Sequence, residues 1–435
     1  MQSLIAHFRT SRIGRDTLGS MSLKLANVGL TFLTTVLLAR LLGPSDYGMY
    51  ALVYATISLL SVPSEFGLPT LVVRETARGM LNQDYASVQG VWRWTGRATT
   101  LISLTLVVLT LAGIWLFKEP LTSQRLITFL WALALVPLIA LGDLRGAALS
   151  GLHRVVAGQL PEFLVRPGIF ALLLAVAALA GNSSLSAPMA MALYVFSSAL
   201  AFGFGAWLLW RATPLSVRRA FPSFNNRAWL LSALPLALIG GMQLINQQAS
   251  ILLQGFFLPD AAIGIYRIAL QVAVLASFGL MAINLVLTPR FATLYAQGDM
   301  AKLQRLVTAS AKVILIFNLV LTVGFIVWGK LFLLLAFGSP YETAYIPLII
   351  LLVGQLINSG AGSVGLLLNM SGYERETARG MMVAAVLNIV LNLLLIPWWG
   401  INGSSLATSV SLIAWNVLLW WAVRKRLGIN SLAFG

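Results

Sequence analysis

The chain has 435 residues, of which 59% are hydrophobic and only 10% charged, whereas a soluble domain carries roughly 25% charged residues; this chain could not cover a water-facing surface. It contains no cysteine, which excludes disulfides and thiolate metal sites. The formal net charge of +16 raises nucleic acid as a partner, but the placement of the basic residues assigns that charge to membrane topology and removes nucleic acid.

The first residues, "MQSLIAHFRTSRIGRD", are polar and basic and carry no cleavable signal pattern, so the first apolar run is expected to stay as a helix. Apolar runs of about 20 residues, each long enough to cross a bilayer core, then recur to the end of the chain. They predict spans near 19–41, 47–73, 94–117, 125–147, 158–180 and 188–210, and a second set near 228–255, 262–287, 309–336, 344–369, 379–396 and 403–423. The expected fold class is an all-α polytopic membrane protein of about twelve transmembrane helices.

The first span carries Ser20, Lys24, Asn27, Thr31 and Thr34 at alternating spacings of four and three, which places them on one helix face. Arg40 falls on the opposite side from Lys24 and is expected at the outer boundary. The second span repeats the device with Tyr54, Ser58, Ser61 and Glu65; Glu65 is expected to pair with a cation or to carry a coupling proton. It is followed by "RETARGM" (Arg74–Met80), which recurs identically at Arg375–Met381. In the fifth span Glu162 and Arg166, four apart, are placed to pair with each other.

The seventh span has Gln243, Gln247, Ser250 and Gln254, with Asn246 beside them, and the eighth has Arg267 and Gln271 one turn apart. "GFIVWGKL" (324–331) approaches a phosphate loop, but Leu331 stands where a metal-binding hydroxyl is needed and no strand precedes it. Lys330 is instead expected to snorkel at the outer face. The two histidines, His7 and His153, are far apart in sequence, so no metal site is expected.

An internal repeat organises these spans. "LGPSDYGMYALV" (42–53) parallels "LPDAAIGIYRIA" (258–269), Arg74 corresponds to Arg290, and "LSGLHR" (149–154) parallels "MSGYER" (370–375). The expected division is an N-terminal lobe at 1–210, a basic linker at 211–227 and a C-terminal lobe at 228–435, two six-helix halves in parallel orientation. The heptapeptides are not equivalent in this repeat, since one follows the second span and the other precedes the eleventh. They read as interfacial elements of convergent composition, with headgroup recruitment at the inner leaflet as the alternative.

With both termini in the cytoplasm, 21 of the 29 basic residues fall on cytoplasmic segments, among them Arg9, Arg145, Arg154 and the linker arginines; the outer loops hold only Lys118 and Arg125. This asymmetry sets orientation in short loops. Polar stripes commonly bridge transmembrane helices, yet four of them on the first two spans of each half favour a shared polar cavity. Ionisable groups at depth add weight, because they are costly in lipid. Lys24 and Arg267 are the expected contacts for an anionic substrate.

Taken together, "LARLLGPSDYGMYALV", "FGLPTLVVRETAR", "IGIYRIA", "LLLNMSGYERETARG" and "NIVLNLLLIPWWGINGSSLATSVS" make the chain resemble the polysaccharide or O-antigen flippase branch of the multidrug/oligosaccharidyl-lipid/polysaccharide (MOP) exporter superfamily. The resemblance implies two six-helix lobes around a central cavity and alternating access. It implies movement of an undecaprenyl-pyrophosphate-linked oligosaccharide across the bacterial cytoplasmic (inner) membrane, without cofactor or covalent chemistry. Expected substrate contacts are Lys24, Asn27, Gln243, Asn246, Gln247, Arg267 and Gln271. Arg40, Arg74 and Arg290 are expected at a gate or headgroup site, and Glu65 in ion coupling. Membrane lipids and a polysaccharide polymerase or other assembly proteins are the expected partners. Two other readings remain: a cation-coupled drug exporter of the same superfamily, which would favour acidic cavity groups, and a membrane glycan polymerase, which the short outer loops "GPSD", "GNSSLSAP", "LPDAA" and "GSPYET" disfavour.

Overall fold

The computed structural model describes residues 12–117, 123–180 and 185–434; His7, Arg9, Lys118 and the start of the 181–188 loop lie outside them. Helices are α1 (Arg12–Glu65), α2 (Leu68–Leu81), α3 (Tyr85–Phe117), α4 (Ser123–Leu133), α5 (Leu135–Gly151), α6 (Val155–Leu160), α7 (Arg166–Leu179), α8 (Ala187–Ala212) and α9 (Leu215–Arg219). They continue with α10 (Asn226–Phe257), α11 (Asp260–Ala296), α12 (Met300–Phe337), α13 (Tyr345–Ala361), α14 (Val364–Met370) and α15 (Glu374–Leu427). A π-turn (Pro161–Val165) joins α6 to α7, and a 3₁₀ turn (Ser339–Ala344) joins α12 to α13. The described residues contain no strand, as a bilayer requires of a chain that satisfies its backbone within each segment.

Nine described helices are long and apolar enough to cross a membrane. Two of them are broken once each, α1 at Gly43 and α15 at Gly400, where the backbone leaves helical geometry, so each supplies two passes. With the 32-residue α10, the described helices give twelve passes. The protein is an all-α, multi-pass membrane protein. Several predicted spans run through breaks that hydropathy does not register. The span placed at 47–73 is interrupted at Phe66 and Gly67, both at positive φ, and the one placed at 344–369 is interrupted at Gly362.

Packing divides the chain into two compact units, Met1–Leu42 with Val53–Leu244, and Gly43–Leu52 with Ile245–Gly435. In the first, α2, α3, α5 and the start of α10 enclose a core that includes Leu71, Val91, Ala148 and Trp229. In the second, Phe291, Leu303, Leu368 and Leu419 lie at the centre of the corresponding core. The second unit also contains the repeat's two Gly-x-Tyr turns, which cross backbone to backbone. A Cβ on Gly48 would lie 1.7 Å from the Asp260 carbonyl oxygen, and one on Gly264 would lie 2.2 Å from that of Pro44. Any side chain at either position would force the turns apart. The same unit holds a buried polar network. Gln254 Nε2 donates to Ser404 Oγ (2.7 Å), Ser404 Oγ to Asn392 Oδ1 (2.7 Å), and Asn392 Nδ2 to Ser250 Oγ (3.2 Å). Ser250 and Gln254 are buried and bond to side chains of α15, so they serve helix packing there, which corrects their reading as part of a cavity stripe.

Candidate functional site

In the first unit a cavity of about 570 Å³ collects charge from three helices. Glu65 ends α1, Arg74 lies on α2 and Asp143 on α5, with Thr70 beside them and α10 closing one wall through Leu236 and Leu244. The helix is broken between Glu65 and Arg74, at Phe66 and Gly67, both at positive φ. Gly67 has φ 67°, and a Cβ there would sit 2.6 Å from Ala237 N, so the turn and the α10 wall fit only around glycine. Ser61 Oγ donates to Glu65 Oε1 across 3.4 Å, a long bond. Arg74 is exposed and its guanidinium meets Glu75 at 3.0 Å. The cavity thus offers two carboxylates and one cation.

Two residues beyond Asp143, Arg145 turns into the bundle. Its Nη2 bonds Glu162 Oε1 at 3.0 Å, and Nη1 donates to the carbonyls of Ala201 and Phe202 at 3.2 and 3.0 Å. Gly205 leaves the room, since a Cβ there would lie 2.2 Å from the guanidinium carbon. The other Glu162 oxygen takes Arg166 Nη1 at 2.8 Å, the pairing expected from their spacing. Arg166 in turn lies 5.7 Å over the Tyr194 ring, and Tyr194 meets Tyr54 edge-on. Glu162 projects from the π-turn, a rare geometry that recurs at functional sites. Buried charges persist when they are paired and hydrogen-bonded, and this chain of partners supplies both. Arg145, expected on a cytoplasmic segment, has a side chain that is 4% exposed and packs inside the bundle. "GDLRG", two ionisable residues in an apolar run, was the available signal.

The other expected contacts distribute between the units. Lys24 and Asn27 are half-buried on α1 in the first unit, outside the 570 Å³ cavity. Lys24 forms no ion pair among the described residues. Part of that stripe is satisfied locally, because the Thr34 and Thr35 hydroxyls return to the Thr31 carbonyl (2.9 and 2.8 Å). Arg40 is exposed at the end of the first pass, and Gln243 is exposed on α10. In the second unit Arg267 and Gln271 are half-buried on α11, while Gln247 and Arg290 are exposed. Asn246 donates to the Met381 carbonyl at 3.4 Å. Of the expected gate and coupling residues, Glu65 and Arg74 line a common cavity. Asp143 joins them, and the same "GDLRG" stretch was its available signal.

This arrangement sits in a sequence with clear relatives. Residues 13–295, well over half of the chain, match the family described as polysaccharide biosynthesis protein. The chain belongs to that family. This polysaccharide biosynthesis protein is 24% identical over 406 residues to the probable low-salt glycan biosynthesis flippase Agl15 of Haloferax volcanii, covering 92% of this chain and 81% of the relative. Its structure is similar to the inward-facing conformation of a multidrug resistance MATE family transporter of the MOP superfamily. The TM-score is 0.76 at 13% identity, over 95% of this chain and 98% of that one. It is also similar to the lipid II flippase MurJ in an inward closed conformation, with TM-score 0.71 and 14% identity over 94% and 87% of the two chains. At such identities the structural likeness shows the fold alone, and the family match is what places the chain in its family.

Proposed function

We propose that this protein is a flippase that carries a lipid-linked oligosaccharide, on an undecaprenyl pyrophosphate, from the inner to the outer leaflet of a bacterial cytoplasmic membrane by alternating access. The family match over residues 13–295 carries the reading, and the near full-length likeness to a probable glycan flippase supports it. The physical task fits. A pyrophosphate-linked glycan cannot cross about 30 Å of hydrocarbon unaided. Cations and amides on the pore-side helices replace its hydration while the prenyl chain stays in lipid. Lys24 and Arg267 meet the pyrophosphate, Asn27, Gln243, Asn246, Gln247 and Gln271 meet the glycan, and Arg74, Arg290 and Arg40 act at the two membrane boundaries. Glu65, with Asp143 in the same cavity, takes up the coupling ion. The two repeat halves joined by the 211–227 linker move as lobes, with both termini inside. No covalent bond changes, so the protein is not an enzyme. Polymerase or other assembly proteins receive its product.

One observation favours the drug-exporter reading: the cavity holding Glu65 and Asp143 has two carboxylates to one cation, which suits a cationic cargo. The deciding measurement is translocation of lipid-linked glycan in proteoliposomes, normalised to inserted protein. Lys24→Ala and Arg267→Ala are each expected to lower it about tenfold or more, the worth of a lost charge-assisted contact, with Lys24→Arg milder. Full glycan transport by both alanine variants would overturn the substrate assignment. Export of cationic dyes without glycan transport would establish the second reading. Orientation is checked with single cysteines in this cysteine-free chain: Ser216→Cys is expected to resist an impermeant thiol reagent applied to intact cells, and Ser183→Cys to react.

A further inference from the structure

A second cavity, about 430 Å³, lies in the first unit and shares no lining residue with that of Glu65 and Asp143. Its walls are mostly apolar and aromatic, with Trp92, Leu141, Phe202 and Trp210 among them. Two guanidinium groups, those of Arg145 and Arg218, reach it, and no carboxylate lines it. Arg145 is neutralised by Glu162. Arg218 has no acidic partner among the described residues; its guanidinium lies 4.7 Å over the Trp210 ring. Three polar atoms of the lining are buried without a hydrogen-bond partner: Arg145 Nε, Arg218 Nε and Gln89 Oε1. Orphaned buried donors are costly, and two of these three belong to cationic side chains that line one space.

The mouth of the cavity carries the marks of a membrane–water boundary. Trp210, which lines it, is 64% exposed, and Leu215 and Phe221, in the chain that follows, are 64% and 91% exposed. Arg211 lies over the Trp207 ring at 5.5 Å. Exposed tryptophans, apolar side chains and arginines together belong at headgroup depth. A slot with hydrocarbon walls, a cation at its rim and buried N–H donors without acceptors matches a molecule with an acyl chain and a phosphate. Water alone would satisfy the donors but would leave the aromatic walls wet.

We propose that this slot is a binding site for an anionic phospholipid of the surrounding bilayer, its phosphate held by Arg218 and the Arg145 Nε–H, its chain against Trp92 and Phe202. The site is separate from the path proposed for the glycan carrier, so each can fail alone. The test is native mass spectrometry of the full-length protein after delipidation and titration with phosphatidylglycerol or phosphatidylcholine. Wild type is expected to retain one phosphatidylglycerol in preference to phosphatidylcholine. Arg218→Gln is expected to weaken that binding about tenfold, the value of one charge-assisted hydrogen bond. Arg219→Gln, an exposed neighbour on α9 outside the lining, is expected to leave it unchanged. Ala206→Phe, which puts a larger side chain into the lining and keeps both arginines, is expected to displace the lipid with thermal unfolding unaltered. Equal losses in Arg218→Gln and Arg219→Gln would reduce the effect to general surface charge and overturn the proposal. Competition by inorganic phosphate at equal concentration, or tighter binding of a polyprenyl phosphate than of phosphatidylglycerol, would also overturn it.

Discussion

The two copies of "RETARGM" allow one sequence to be compared in two settings. In both, the first and fifth residues point outward (Arg74 and Arg78; Arg375 and Arg379), and the glycine is buried (Gly79; Gly380). The helical period alone sets that much. The partners differ. Thr76 is fully buried and accepts a bond from Trp92 Nε1 at 2.8 Å, whereas the Thr377 hydroxyl is buried without a partner among the described residues. Glu75 pairs with adjacent Arg74, but Glu376 reaches Arg426 at 2.6 Å, tying the start of α15 to its end. Seven residues determine a face; the neighbours determine what the face does.

The glycines give the largest expected contrast. A Cβ at position 79 would lie 2.4 Å from a Val88 methyl and 3.1 Å from the Asp84 carbonyl oxygen, while at 380 it would lie 3.0 Å from the end of the Leu419 side chain. Overpacking costs typically 1–3 kcal/mol, and Gly→Ala in a helix returns up to about 1 kcal/mol. Gly79→Ala is expected to lower stability by about 1–2 kcal/mol, and Gly380→Ala to change it by less than about 1 kcal/mol in either direction. Unfolding midpoints in detergent check both, and equal losses would show that the two helices are packed alike.

The threonines come next. Thr76→Val strands the Trp92 N–H and is expected to cost about 1–2 kcal/mol. Thr377→Val removes an unpartnered hydroxyl and is expected to be neutral or slightly stabilising. Destabilisation by Thr377→Val in the same melting experiment would reveal a partner for that hydroxyl. Glu376→Gln, which weakens a pair whose arginine is 45% exposed, is expected to cost under about 1 kcal/mol.

How far these differences could be read in advance follows from their range. The twelve passes were legible because each is written locally as a run of apolar residues, and so were the breaks at Gly43 and Gly400, within "LGPSD" and "WWGINGSS". The break at Phe66 and Gly67 was not, since α10 packs on it from 170 positions away. The Glu162–Arg166 pair was legible as an i, i+4 spacing. Arg145 on Glu162, 17 positions apart, and Asp143 in the cavity of Glu65 depend on tertiary packing, which no local period encodes. The Gln254 side chain shows the converse error. Its period matched a stripe, but the stripe was turned toward α15.

The smallest expected effect on stability comes from the leading arginines, and there transport separates the copies. Arg74 and Arg375 are both exposed, and a surface ion pair such as Arg74–Glu75 contributes about 0–1 kcal/mol. Arg74→Gln and Arg375→Gln are therefore expected to leave unfolding midpoints nearly unchanged. Arg74 nevertheless lines the cavity with Glu65 and Asp143, and its loss leaves two carboxylates there without that cation. On the proposed function, attraction for a pyrophosphate headgroup at the inner leaflet is then expected to fall. Lipid-linked glycan translocation, normalised to inserted protein, is expected to drop several-fold in Arg74→Gln and to stay near wild type in Arg375→Gln, with Arg290→Gln grouping with Arg74→Gln if the internal repeat extends to function. A loss confined to Arg375→Gln would transfer the functional role to the second copy and leave Arg74 as an interfacial residue.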